Sequence, residues 1–224
     1  EDLPESYNNL GRMVLTLSEQ INAQHRLGLD AYGNAGTNFF QINGAGTAGS
    51  VYSYNPSGAG PIGIAATPIN GAPATLNASI SDFTKLQASD YQISFTDLGG
   101  GNLGIRVVRL SDKQVALETS LGTSPLTLPM DVNLPSDGLT LTLGTEPAPG
   151  DSYLLQPYAD AARNIDVAIS AAENIAVASS VRVDVASTNS GTLQIDNLAA
   201  VGTPPTGWTS STITFNSLGQ YSVD

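Results

Sequence analysis

Tyr91-Gln92-Ile93-Ser94-Phe95, then Gly99-Gly100-Gly101-Asn102, then the run 103–110 form the stretch that decides the fold class. The first piece alternates apolar and polar residues, the period at which successive side chains leave opposite faces of a strand. The glycines supply a turn and the second piece returns, so the stretch predicts a β-hairpin. Further short strands are expected at 114–119, 126–130, 139–143 and 152–156, punctuated by Asp137-Gly138 and Pro149-Gly150-Asp151. Short strands at this spacing point to a small sandwich or barrel. The expected fold class is mainly β with some α: a long N-terminal helix, then small sandwich- or barrel-like β modules and short helices.

Upstream of this region the period changes. Leu3, Tyr7, Leu10, Val14, Leu17, Ile21, Gln24 and Gly28 follow one another at alternating spacings of four and three. That is an a/d heptad seam on one helix face. Asp2 and Glu5 fit a capping box, Pro4 is tolerated in the first turn, and Gly28 is expected to end the helix in the left-handed conformation. A helix of about 26 residues would run about 39 Å, rod-like rather than globular. Two readings stand: an amphipathic helix packed on its own domain, or, since nothing else in the chain offers a long apolar helix, a seam in which Leu10, Val14, Leu17 and Ile21 pack against rod helices outside it.

Residues 30–38 are turn-rich, and Phe39 and Phe40 are expected to pack that turn down. Residues 44–73 are full of Gly, Ala and Pro, with short apolar pieces at 51–54 and 62–66, and read as irregular β structure or an extended crossover. The Ala-rich stretch 158–180 is read as two short helices flanking a strand-like piece at 164–169, with Ser170 and Glu173 as a second capping box. Strands are again expected at 181–185, 192–198, 212–215 and 220–223. The domain organisation expected is a helical rod segment over 1–40, a β-rich module over 41–160 and a connector over 161–180. Residues 181–224 are either the start of a second β module or a return to the first.

Composition narrows the function. The 224 residues carry a formal net charge of −12, which argues against nucleic acid and anionic lipid as partners. There is no cysteine and one histidine, which removes disulfides, thiol nucleophiles, cysteine zinc sites and multi-histidine metal centres. No apolar run reaches about 18 residues, so no membrane-spanning helix is expected. The chain starts at Glu1 and reads as a fragment or processed form.

The chemical candidates are few. Gly44-Ala45-Gly46-Thr47-Ala48-Gly49 matches a dinucleotide fingerprint, but the residues after it are β-like, and no acidic residue lies at the required distance. Asp30, Tyr32 and Asn34 resemble the opening of a calcium loop, but Ala35 and Gln41 occupy its glycine and glutamate positions. A turn held by Asx hydrogen bonds is expected instead. His25 lies near a helix end, where a structural role outweighs a general base. Asp82, Asp90, Asp97, Asp131, Asp151, Asp160 and Asp166 could supply a glycosidase pair in principle, but the single Trp208 lies far from them in sequence. Tyr52, Tyr54, Tyr91, Tyr153 and Tyr158 are read as sheet packing rather than a binding face.

The spacing of Asn22, Gln24 and His25, then Gly28, Asp30 and Gly33, then Phe39 and Phe40, resembles the signature of the flagellar hook-associated protein 1 family. Three further stretches resemble it in the same order: 89–95, then 138–157 with Pro149-Gly150-Asp151-Ser152-Tyr153, then 161–179. The resemblance spans about residues 10 to 180, and the tail after Val181 matches nothing diagnostic. It implies a middle fragment of an adapter joining hook to filament, with no catalytic residues and no cofactor. It implies partners in a ring of its own copies, the hook protein and the second junction protein (the hook-associated protein 3 family). It also implies an extracellular, flagellar location reached through the flagellar export apparatus. The rival reading from composition is a surface β-sandwich that binds carbohydrate or acts as an adhesin, for which the heptad helix is awkward. A hydrolase using paired aspartates is a third.

Overall fold

The computed structural model describes residues 3–42, 44–45, 51–52, 63–65, 67–69, 76–158, 161–192, 198–201, 210–215 and 220–223. Helix α1, Leu3–Arg26, runs for 24 residues. The strands that follow are β1 Gly28–Leu29, β2 Phe40–Ile42, β3 Gly44–Ala45, β4 Val51–Tyr52, β5 Gly63–Ala65, β6 Thr67–Pro68 and β7 Leu76–Ile80. They continue with β8 Tyr91–Gly99, β9 Asn102–Arg109, β10 Val115–Thr123, β11 Met130–Leu134, β12 Leu139–Leu143 and β13 Ser152–Leu155. Helix α2, Ala161–Asn164, then leads into β14 Ile165–Val167, a 3₁₀ turn Ala172–Asn174 and β15 Ala178–Ser179. A hairpin of β16 Ile213–Phe215 and β17 Tyr221–Val223 closes the described chain.

The core is a β-sandwich. One sheet has the order β10-β9-β8-β13-β6 and the other β11-β12-β7-β5, with every neighbour antiparallel. The expected hairpin is β8–β9, with Phe95 opposite Ile105 and Ile93 opposite Val107, turned at Gly100 and Gly101. Alternation carries through each strand: Tyr91, Ile93 and Phe95 of β8, Ala78 and Ile80 of β7 and Leu139, Leu141 and Leu143 of β12 all enter one buried cluster. The outward residues of β12 and β11 are polar and bond to one another, Thr140 Oγ1 to Asn133 Oδ1 at 2.8 Å and Thr142 Oγ1 to Asp131 Oδ1 at 2.7 Å. A buried core between polar outer faces is the pattern of an antiparallel sandwich in water.

Asp137 lies inside this module. It has no solvent exposure, accepts a hydrogen bond from Tyr91 Oη at 2.9 Å and pairs with Arg109 Nη1 at 3.6 Å. Burial first, then the neighbouring Tyr158 and the Asp137 carboxylate, pushes the Tyr91 phenol far above its ordinary value.

Several expectations are corrected. The strand placed at 126–130 begins at Met130 and ends at Leu134. Pro125 and Pro129, which have no N–H for a ladder, sit in the preceding connection instead. Gly28 does not cap α1 in the left-handed conformation: it opens β1 and pairs with Ser179. The Ser170–Glu173 capping box does not form, because Ala171 precedes the 3₁₀ turn and no side chain caps it. Residues 181–185 are in no strand and are mostly exposed. Asp2, Gly46, Gly49, Tyr54, Asp160, residues 193–197 and Trp208 lie outside the described residues.

Candidate functional site

The site that the structure builds is the base of α1, where two distant parts of the chain close on one helix. The heptad seam is not what touches the rest of the chain. The buried residues of α1 are Asn8, Gly11, Leu15, Ser18, Asn22 and His25, spaced three and four apart on a neighbouring stripe. Of the expected seam, Leu10 and Leu17 are 43% and 53% exposed, and Val14 and Ile21 are half-buried. Leu3, Tyr7 and Met13 extend the exposed apolar face. The helix therefore presents small and polar residues to its own module and leaves its more apolar face open.

The buried stripe explains itself residue by residue. Gly11 lets the chain at Tyr158 come close: a Cβ there would stand 2.5 Å from the Tyr158 carbonyl oxygen. Leu15 joins Tyr158 and Ala161 in the core cluster. Arg12 Nη1 reaches the Leu86 carbonyl at 3.4 Å. Asn22 treats Phe40 as a ladder partner, donating Nδ2 to its carbonyl at 2.9 Å and accepting its N–H at Oδ1 at 2.8 Å. The β2 strand so held pairs with β14, placing Phe40 opposite Val167 and Ile42 opposite Ile165.

His25 is buried and both ring nitrogens are used. Nδ1 lies 2.6 Å from the Thr37 carbonyl, which only accepts, so Nδ1 carries the proton. Nε2 accepts the Ala176 N–H at 2.8 Å. The ring is therefore the neutral Nδ1–H tautomer, fixed by its partners, with Phe39 packed edge-on at 5.6 Å. Gly28 and Gly36 both lie against Ala176, and a Cβ on either would collide with backbone: the Ala176 carbonyl for Gly28, the His25 carbonyl for Gly36.

The turn beyond is the expected Asx turn. Asp30 Oδ1 accepts from Tyr32 N and Asn34 N, each at 2.8 Å, and Gly33 has a φ of +80°. Desolvation pushes the Asp30 carboxyl up, and the Asn34, Tyr32 and Gly33 hydrogen bonds outweigh it, holding the group below the ordinary aspartate value. Phe39 and Phe40 stack edge-on at 4.9 Å. Of the signature residues, Asn22, His25, Gly28, Asp30, Gly33, Phe39 and Phe40 are thus brought to one place, and Gln24 points away, exposed.

Sequence reasoning missed three contributors. Ala176 lies in a stretch flagged only by resemblance, and no local pattern points to its bond with His25, 151 positions away. Arg26 bridges Glu19 at 2.6 Å and Asn38 at 2.5 Å, which spacing along one helix shows only in part. Gly11 was visible as a glycine within a helical pattern, a marker of close approach. The remaining chemical candidates are accounted for by local structure. Asp82 bonds Thr84, Asp97 bonds Gly99, Asp151 bonds Ala148, Asp166 bonds Val167, Asp131 bonds Thr142 and Asp90 bonds Gln156. Tyr91, Tyr153 and Tyr158 are core residues. Among the described residues, no group of three or more metal-ligating side chains comes together, and no helix is long and apolar enough to cross a membrane.

The geometry is that of a long helix clasped to a β-sandwich, with its more apolar face open and Asn22 and His25 spent on internal hydrogen bonds. Comparison with known proteins gives the family. Residues 1–40 match the flagellar hook-associated protein FlgK helical domain, and residues 66–157 match the D2-like domain of flagellar hook-associated protein 1. Flagellar hook-associated protein 1 of Salmonella typhimurium is 33% identical over 186 residues, 82% of this chain and 28% of that protein. The Escherichia coli K12 protein of the same name is 33% identical over 181 residues, 80% of this chain and 27% of that protein. The solved flagellar hook junction protein FlgK of Burkholderia pseudomallei superposes with a TM-score of 0.58 at 25% identity, covering 80% of this chain and 27% of that one. The chain belongs to the flagellar hook-associated protein 1 family. It spans little more than a quarter of the length of these relatives.

Proposed function

We propose that this chain is a segment of a hook–filament junction subunit, in which α1 belongs to a helical rod and the sandwich projects from it. The observation that carries the reading is the helix with its apolar face unpaired. Burying what remains exposed of Leu10, Val14, Leu17 and Ile21 against other helices would contribute on the order of 3–6 kcal/mol before ordering entropy. We propose the other helices of the same subunit's helical domain as the occupants of this seam. Copies of the subunit in a ring, the hook protein and the hook-associated protein 3 family are the proposed neighbours, and the flagellar export apparatus is the proposed route to the cell exterior. The β16–β17 hairpin supports a second β module over 181–224: Ile213, Phe215, Tyr221 and Val223 are all exposed, and an isolated two-stranded hairpin is marginal in water.

The test replaces Leu17 and Ile21 by Asp in the full-length protein. The 224-residue chain carrying both changes should stay folded and lose only about 1–2 kcal/mol, from half-buried Ile21 and the weaker helix propensity of Asp, because neither side chain is in its core cluster. Cells making the full-length variant should lose filaments and stop swimming. Normal swimming with intact filaments would refute the seam.

A further inference from the structure

We infer that His25 is the pin of a strap: it docks the returning segment 165–180 onto the base of α1 and so fixes where the chain beyond Ser180 departs. Among the described residues 165–180, Ala176 alone is buried. Its N–H goes to His25 Nε2, and its neighbours are Gly28 and Gly36. At its start the strap also rests half-buried Ile165 against the sandwich core; its other backbone bonds lie along exposed or half-exposed edges. These are the β14–β2 and β15–β1 ladders, Ala31 N to Glu173 O at 3.0 Å and Ala168 N to Phe39 O at 2.9 Å. Water competes for such edge bonds, whereas a buried N–H that loses its acceptor has no substitute. The pin also sits away from the sandwich core, whose cluster does not include His25, Ala176 or residues 28–36. The strap is thus a unit that opens locally, without unfolding the strands between Leu76 and Leu155. Past Ser180 the residues 182–192 are all exposed, so the pinned strap sets the direction in which that run leaves the helix.

Two substitutions separate the two bonds of the ring. His25→Gln can place a carbonyl oxygen near the Nε2 position and keep the Ala176 N–H satisfied. His25→Asn can place an amide N–H near Nδ1 and keep Thr37, but leaves the Ala176 N–H unpaired. Hydrogen exchange by mass spectrometry on the 224-residue chain reads the result. In His25→Asn, amide exchange across 165–180 should rise roughly tenfold or more while 91–109 keeps its protection. His25→Gln should hold 165–180 close to the parent. Ala176→Leu, which crowds Gly28 and Gly36 and leaves the sequence of α1 unchanged, should release the strap as His25→Asn does. The inference fails if 165–180 stays protected in both His25→Asn and Ala176→Leu. It fails equally if 91–109 loses protection by the same factor, which would make His25 a part of global stability. It also fails if Gln releases the strap as fully as Asn.

Discussion

Replacing Gly11 by Ala should destabilise the chain, although on a bare helix the same change would stabilise it. A glycine inside a helix costs about 0.8–1 kcal/mol relative to alanine, so propensity alone predicts a gain of that size. The new methyl, however, would stand 2.5 Å from the Tyr158 carbonyl oxygen, 2.7 Å from the Tyr158 Cβ and 3.2 Å from the carbonyl carbon. Two of these are backbone atoms, and Tyr158 is 1% exposed with its ring in the core cluster, so no flexible side-chain end can yield. Either α1 moves off the module or Tyr158 shifts against its packing. Overpacking of this kind costs typically about 1–3 kcal/mol and more where backbone must move. Set against the propensity gain, the net loss should be about 1–2 kcal/mol. Urea unfolding followed by circular dichroism should show the midpoint falling by about 0.5–1 M at the slope usual for a domain of this size. Asn9→Ala, at an exposed position of the same helix, should change stability by only a few tenths of a kcal/mol. A Gly11→Ala midpoint at or above the parent would refute the close packing of α1 on Tyr158 and with it the placement of the sandwich on the helix.

Two further outcomes follow from the buried polar groups. Asn22→Asp removes the donor to the Phe40 carbonyl and sets a carboxylate against it in a site that is 1% exposed. The loss should be about 2–4 kcal/mol, read as a lowered thermal midpoint together with faster exchange at the Phe40 amide. Asp137→Ala leaves the Tyr91 hydroxyl and one face of Arg109 without an acceptor inside the sandwich. Breaking a buried pair costs about 3–5 kcal/mol, and the low end applies because Arg109 is 18% exposed and keeps Asp112 at 3.3 Å. Asp137→Asn, which keeps an acceptor for Tyr91, should cost less than Ala in the same urea titration.

The sandwich was legible because its strands obey a local rule. In Tyr91–Phe95 and Leu139–Leu143 every second residue is apolar, and every second residue is buried. The rule fails where two signals compete. Met130-Asp131-Val132-Asn133-Leu134 alternates as well as its neighbours do, but Leu126 and Leu128 draw the strand upstream into a stretch where Pro125 and Pro129 interrupt the donors. The helix was legible in extent, and its apolar seam reads in sequence as facing helices outside the chain. What no pattern reports is that the adjacent stripe of small and polar residues turns inward. Asn8, Ser18, Asn22 and His25 look like solvent residues in sequence. Asn22 and His25 are buried because their partners, Phe40, Thr37 and Ala176, come back from 12 to 151 positions away. No periodicity reports that. The signature from Asn22 to Phe40 flagged the right residues by resemblance, and only the geometry shows that they form a clasp.

The division of labour between the two faces of α1 has a physical logic. Hydrogen bonds are directional, so Asn22 on Phe40 and His25 between Thr37 and Ala176 admit one arrangement of helix, loop and strap. They also need no partner from outside, so this arrangement is complete in the isolated chain. Apolar burial is non-directional and grows with area, which suits an association that must tolerate small differences between neighbouring helices. The open face contains no charged residue at Leu3, Tyr7, Leu10, Met13, Val14, Leu17 or Ile21, whereas Glu5, Arg12, Glu19 and Arg26 all lie off it. Arg12 and Arg26 are already engaged within the chain. A segment built this way holds its β module at a fixed angle by its own contacts, and it leaves the gain from apolar burial to the helices proposed to cover the open face. With the faces reversed, a polar clasp would depend on those covering helices arriving in register, and the placement of the sandwich would rest on contacts that permit sliding.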